Sequence, residues 1–162
     1  MYKRQLLGSV VLAQTIPAAV SCRTRSGSNG DYSLADTNNT NSEKLTVRAG
    51  DQLTDRGEKS WIKFDLGTLP VSSLSSATLI ITLQQSKTGS ADLSAVNDDH
   101  LDNIGWGETD ITWNNAPGND TISFSAVDPA ETTFVERFDY DGLAGDSYSI
   151  DVLSILQADT DG

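Results

Sequence analysis

The sequence predicts an all-β sandwich, and three observations carry that expectation. Its 162 residues hold no long low-complexity tract, which fits one domain large enough to bury a full core. Thr, Ser, Asn, Asp and Gly are abundant, while long stretches of Leu, Ala, Glu and Lys at helical period are absent. Short segments alternate apolar and polar side chains with a period of two, and Gly, Asn, Asp and Pro separate them, as strands joined by turns require.

Residues 6–13, LLGSVVLA, form a short apolar run whose Val11-Leu12-Ala13 end suits signal-peptidase cleavage before Gln14. The run is too short to span a membrane. Its alternative is a first core strand. Residues 1–5, MYKRQ, resemble the translation of a sequencing-library adaptor, so residues 1–13 read as an artefactual tag plus a signal-peptide remnant, and residues 14–162 as the domain. A cleaved leader places the expected protein outside the cell, secreted or at the cell surface, with no membrane insertion. Cys22 is the sole cysteine, so no disulfide can form within the chain, and Ala19-Val20-Ser21 before it lacks the large aliphatic residue of a lipid-anchor site.

Nine strands are predicted, at 15–25, 44–48, 59–66, 77–83, 91–96, 111–113, 121–126, 133–139 and 147–151. In the first, Val20, Cys22 and Thr24 share one face and Ser21, Arg23 and Arg25 the other. In the next two, Leu45, Val47, Ile62, Phe64 and Leu66 are expected to point inward, which sends Lys44, Arg48, Lys59, Trp61 and Lys63 outward. Residues 152–158, VLSILQA, place Val152, Ile155 and Leu156 at helical spacing and predict one or two helical turns. Residues 159–162 resemble a turn leading into another strand. The domain is therefore expected to be truncated at its C-terminus.

Charge narrows the function. The chain carries −12 overall, which argues against nucleic acid or an anionic membrane surface as partner. Residues 1–63 nevertheless hold nine Lys/Arg against six Asp/Glu, whereas residues 64–162 hold two against seventeen. The outward set Arg23, Arg25, Lys44, Arg48, Lys59, Trp61 and Lys63 would gather on one sheet face if the strands alternate in step. Such a face suits carboxylated sugars: guanidinium pairs carboxylates bidentately, lysine adds charge, and an indole offers a plate to a sugar's C–H face. The alternative is a solvated polar surface.

Catalytic readings find less support. His100 lies in a polar loop with no nucleophile context, and Glu108 and Asp110 show no opposed pair such as a glycosidase needs. Tyr32, Tyr140 and Tyr148 have nothing that places them together as a lyase base would require. One Cys and one His exclude a Cys/His metal site. No cofactor is read from the sequence. A structural calcium is the one ligation left open, at Asp98, Asp99 and Asp102, at Asp159 and Asp161, or at Asp36 and Asn38, although these runs lack a complete calcium-loop spacing and read better as solvated turns.

The stretch Gly105-Trp106-Gly107-Glu108-Thr109-Asp110-Ile111-Thr112-Trp113-Asn114-Asn115-Ala116-Pro117 resembles the W-x-E-x-x-I-T-W-N-N-x-P signature of DNRLRE-type domains, carbohydrate-binding module family 96. Ala35-Asp36-Thr37-Asn38, then Ser60-Trp61-Ile62-Lys63-Phe64-Asp65-Leu66 and Ser76-Ala77-Thr78-Leu79, fit the same pattern in order. The likeness runs over residues 14–162. Val20-Ser21-Cys22 departs from the family's Ala-Asp-Thr. The resemblance implies a β jelly roll and a groove of basic residues that binds polysaccharide, alginate among the known ligands. It also implies no catalysis by the module, and other domains of a parent chain as neighbours. Within the signature, Trp113 is expected to fill the core and Asn114 and Asn115 to shape a turn, so its residues define the fold rather than read a ligand. A structural or adhesive cell-surface sandwich is the alternative function, since one fold serves both.

Overall fold

The computed structural model describes residues 14–26, 45–48, 57–97 and 110–158. Within them the chain is all-β: six strands, a single 3-10 turn at Val71–Ser73 and one short helix. The strands are β1 (Ala18–Arg25), β2 (Glu58–Phe64), β3 (Thr78–Thr82), β4 (Lys87–Val96), β5 (Thr132–Gly142) and β6 (Ser147–Asp151), and α1 spans Leu153–Ala158. All pairings are antiparallel: β1 with β2, β3 with β6, and β4 with β5. In sequence, the β4–β5 pair thus falls between the two strands of the β3–β6 pair. These pairings alone do not define a jelly roll, which stays an expectation of the resemblance.

Several expected elements take another form. Residues 111–113 and 121–126 belong to a chain of turns instead of strands. Side-chain acceptors there compete with ladder pairing: Asn115 Oδ1 accepts from the Thr112 amide at 2.6 Å, Asp120 Oδ1 from Ile122 at 3.0 Å, and Ser123 Oγ from Ala126 at 2.9 Å. Of segment 44–48, the described part forms no strand and pairs its backbone with β2 through an isolated bridge, Arg48 to Glu58. The predicted helical turns form, and Asp151 Oδ1 accepts from the Leu153 amide at 2.9 Å where α1 begins.

The register of β2 corrects the largest expectation. Directly opposed residues of an antiparallel pair share a face, and Cys22 lies opposite Trp61 and Thr24 opposite Lys59. Trp61 is therefore 8% exposed and Lys59 7%, where both were expected to face solvent. Leu45, Val47 and Phe64, expected inward, are instead exposed. Ile62 and Leu66 are half-buried. The Trp face wins because the indole brings the larger apolar area and because its N–H finds a buried acceptor, the Pro117 carbonyl at 3.0 Å. Trp61 packs with Cys22, Ile111 and Ala116, with Val96 at the margin. Trp113, wholly buried as expected, packs with Phe124 and donates its own N–H to the Thr121 carbonyl at 3.0 Å.

Gly57, just before β2, shows how closely this layer is built. A Cβ there would lie 2.7 Å from the Phe124 carbonyl oxygen, so only glycine lets the two backbones approach. Ser26 holds the same point from β1: its Oγ accepts from the Gly57 amide at 3.0 Å, and its amide donates to the Gly57 carbonyl at 3.2 Å.

Candidate functional site

The two faces of the β1–β2 pair carry different chemistry. On the inner face the Lys59 ammonium sits 4.4 Å from the Trp113 ring centroid. It donates to Asn119 Oδ1 at 2.7 Å, to the Asp120 carbonyl at 3.1 Å, to the Ser123 carbonyl at 2.9 Å, and to the Ala126 carbonyl. Three N–H protons serve these acceptors, which come from successive turns of a single segment. Asn119 Nδ2 in turn donates to the Trp113 carbonyl at 2.5 Å. Burial lowers the Lys59 amine to about 8, with the nearby Asp120 carboxylate partly opposing that shift. Lys59 thus organises residues 113–126, and a soluble ligand has no access to it.

The other face gathers Arg23, Arg25, Glu58 and Ser60, since Arg23 lies opposite Ser60 and Arg25 opposite Glu58. Glu58 is buried between the arginines: Arg25 Nε lies 3.2 Å from Glu58 Oε1 and Arg23 Nη1 3.7 Å from Glu58 Oε2. The arginine side chains are 15% and 22% exposed and the carboxylate 3%, so the anion is hidden behind the cations it pairs. Residues 45–48 are fastened alongside. Thr46 donates its amide to Ser60 Oγ at 3.1 Å, Ser60 Oγ donates back to the Thr46 carbonyl at 2.9 Å, and Arg23 Nη1 donates to Thr46 Oγ1 at 3.3 Å. Arg48 exchanges both backbone hydrogen bonds with Glu58, at 2.9 and 3.0 Å, and is exposed.

The sequence-predicted site therefore divides. Arg23, Arg25 and Arg48 are brought together. Lys59 and Trp61 are buried on the opposite face, so the ligand contacts expected of them are corrected to structural roles. Lys63 is exposed, but alternation along β2 places it on the Trp61 side. Lys44 lies outside the described residues, as do Asp36, Asn38, Asp98, Asp99, His100, Asp102, Glu108, Asp159 and Asp161. Sequence reasoning missed Glu58 as a member of the site. Its signal was an acid at the strand start, beside cations on the neighbouring strand.

Asn115 bears out the turn reading of the signature: its Oδ1 accepts from Thr112 and its Nδ2 donates to the Asp110 carbonyl at 2.8 Å. Among the described residues no group of three His, Cys, Asp or Glu side chains is placed to hold a metal ion.

An all-β chain whose diagnostic segment builds turns, and whose clustered polar face is made of cations, has the character of a binding module. The model of carbohydrate-binding module family 96 matches residues 28–142, well over half of the chain, and the protein belongs to that family. Membership makes it a carbohydrate-binding module, non-catalytic by kind, with polysaccharide as partner. No curated protein matches it significantly. The match begins after β1, so Arg23 and Arg25 stand outside the matched segment while Arg48, Glu58 and the Lys59 clasp stand inside it.

Proposed function

We propose that this module is secreted, that it grips an anionic polysaccharide, alginate foremost, and that it serves a larger extracellular protein as a binding appendage. The observation that carries the reading is the pairing of Arg23 and Arg25 around a concealed carboxylate, with Arg48 bridged to the same residue through its backbone, in a chain whose net charge is −12. Guanidinium forks match uronate carboxylates in shape and charge.

Affinity electrophoresis in alginate against neutral glucans tests this. Alginate is expected to retard the protein and neutral glucans to leave it unmoved. The retardation should fade between about 0.1 and 1 M salt, as the screening length falls from about 10 to about 3 Å. Arg23→Ala and Arg48→Ala should each weaken it. Equal retardation by both glycans, or by neither, overturns the anionic reading.

A further inference from the structure

Simple electrostatics gives Glu58 an adverse role, since its charge cancels one of the two arginines an anionic ligand would meet. The geometry points to the opposite, and we propose that Glu58 is a positioning residue that holds the Arg23 and Arg25 guanidiniums ready for carboxylates. This inference rests on the anionic-glycan reading above.

Three features carry it. Each oxygen of the Glu58 carboxylate faces a different arginine, Oε1 toward Arg25 Nε at 3.2 Å and Oε2 toward Arg23 Nη1 at 3.7 Å, so one buried group sets two forks. Arg23 is fixed from a second side by Thr46 Oγ1 at 3.3 Å, and Thr46 is itself tied to Ser60 in both directions. The carboxylate is 3% exposed against 15% and 22% for the arginines, so an arriving ligand has more access to the arginines than to the acid. Arginine side chains that are already ordered lose little rotamer freedom on binding, which improves affinity without any new contact. A planar fork held in place also prefers a planar carboxylate to a tetrahedral sulfate of equal charge.

The test compares the whole chain with Glu58→Gln, Arg25→Lys and Arg25→Ala, using alginate as the carboxylate probe and dextran sulfate as the sulfate probe. Glu58→Gln makes the face more positive, yet alginate binding should fall about tenfold, the worth of ordering one or two rotamer-rich side chains, while dextran sulfate binding holds or rises. Alginate binding that is unchanged or tighter in Glu58→Gln overturns the proposal. Arg25→Lys preserves the charge, removes the fork and should lose the preference for carboxylate over sulfate; a retained preference also overturns it. Arg25→Ala separates the two ideas, because alginate binding that survives it refutes the binding face itself. Ligand-free nuclear magnetic resonance gives a readout that needs no glycan. The Arg25 Nε resonance should lie away from the free-arginine position in the unaltered protein, where Glu58 Oε1 is 3.2 Å away, and move toward that position in Glu58→Gln, and an unmoved resonance overturns the positioning role.

Discussion

Lys59 and Arg137 are both cations on paired strands, and the molecule uses them in opposite ways. Lys59 lies on β2 with its ammonium buried among acceptors from residues 119–126. Arg137 lies on β5, opposite Asp92 of β4, and makes a bidentate pair with it at 2.6 and 2.7 Å while remaining 64% exposed. By distance alone the Arg137 pair is the better interaction. Burial reverses the ranking, because a group removed from water cannot exchange a lost partner for a water molecule, whereas an exposed one can. The β1–β2 layer with residues 110–127 is therefore the part of the molecule in which single polar groups decide stability. The long β4–β5 ladder spreads its stability over backbone pairs.

The largest expected effect that follows is at Lys59. Lys59→Met keeps the aliphatic stem and removes every donor, leaving Asn119 Oδ1 and the carbonyls of Asp120, Ser123 and Ala126 without their partner. A loss of about 3–5 kcal/mol is expected in urea or thermal unfolding. A loss below about 1 kcal/mol would mean that solvent reaches the clasp and that the contrast with Arg137 is false.

Trp61→Phe sharpens the same contrast with a smaller change. It keeps the apolar packing on Cys22, Ile111 and Ala116 and removes the N–H that the Pro117 carbonyl accepts, so a loss of about 1–3 kcal/mol is expected. Alginate affinity should stay unchanged per folded molecule. A stable Trp61→Phe variant with weakened alginate binding would restore the outward-facing indole first expected from the alternation.

That expectation shows what the sequence could and could not reveal. The strands β1 to β6 and α1 were legible because alternation and turn residues are local properties, and each lies within a few residues of its predicted place. The choice of face on β2 was not. Lys59-Ser60-Trp61-Ile62-Lys63-Phe64 is amphipathic in either register, and counting apolar residues favours Ile62 and Phe64. What decides the matter is the Trp61 indole with its Pro117 acceptor, together with the acceptors that Asn119, Asp120, Ser123 and Ala126 offer Lys59, all some sixty residues downstream, which no periodicity encodes. For the same reason the proposed binding face was half legible: Arg23 and Arg25 followed from β1 alone, but their grouping with Glu58 needed the cross-strand register.

A pH series probes the clasp without a substitution. The folded Lys59 amine lies at about 8 and the unfolded one near 10.5, so between these values the unfolded chain binds the proton and the folded chain does not. The contribution of this group to stability therefore rises as pH goes from about 8 to about 10.5. Trp113 fluorescence should report the same titration, since the ammonium lies over its ring, with a midpoint near 8 that disappears in Lys59→Met. A midpoint above 10 would show that the acceptors around the ammonium outweigh its burial.

The smallest expected effect is at that exposed pair, and it completes the comparison because geometry and energy should part company there. The hydrogen bonds from Arg137 hold the Asp92 carboxyl below its usual range, and Asp92 in turn raises the guanidinium further above its own. A depressed carboxyl favours the fold above the unfolded value of about 3.9 and loses that contribution as pH falls through the folded value. Both groups are bathed in water, however, so screening and the entropy of holding two side chains in one geometry consume the gain. Arg137→Ala should therefore return the Asp92 carboxyl to its ordinary range in a carbon-detected titration while leaving the melting temperature at pH 7 unchanged within error. A clear drop in melting temperature would require the pair to be buried by something that packs on β4 and β5, and would place this ion pair in the same class as the Lys59 clasp.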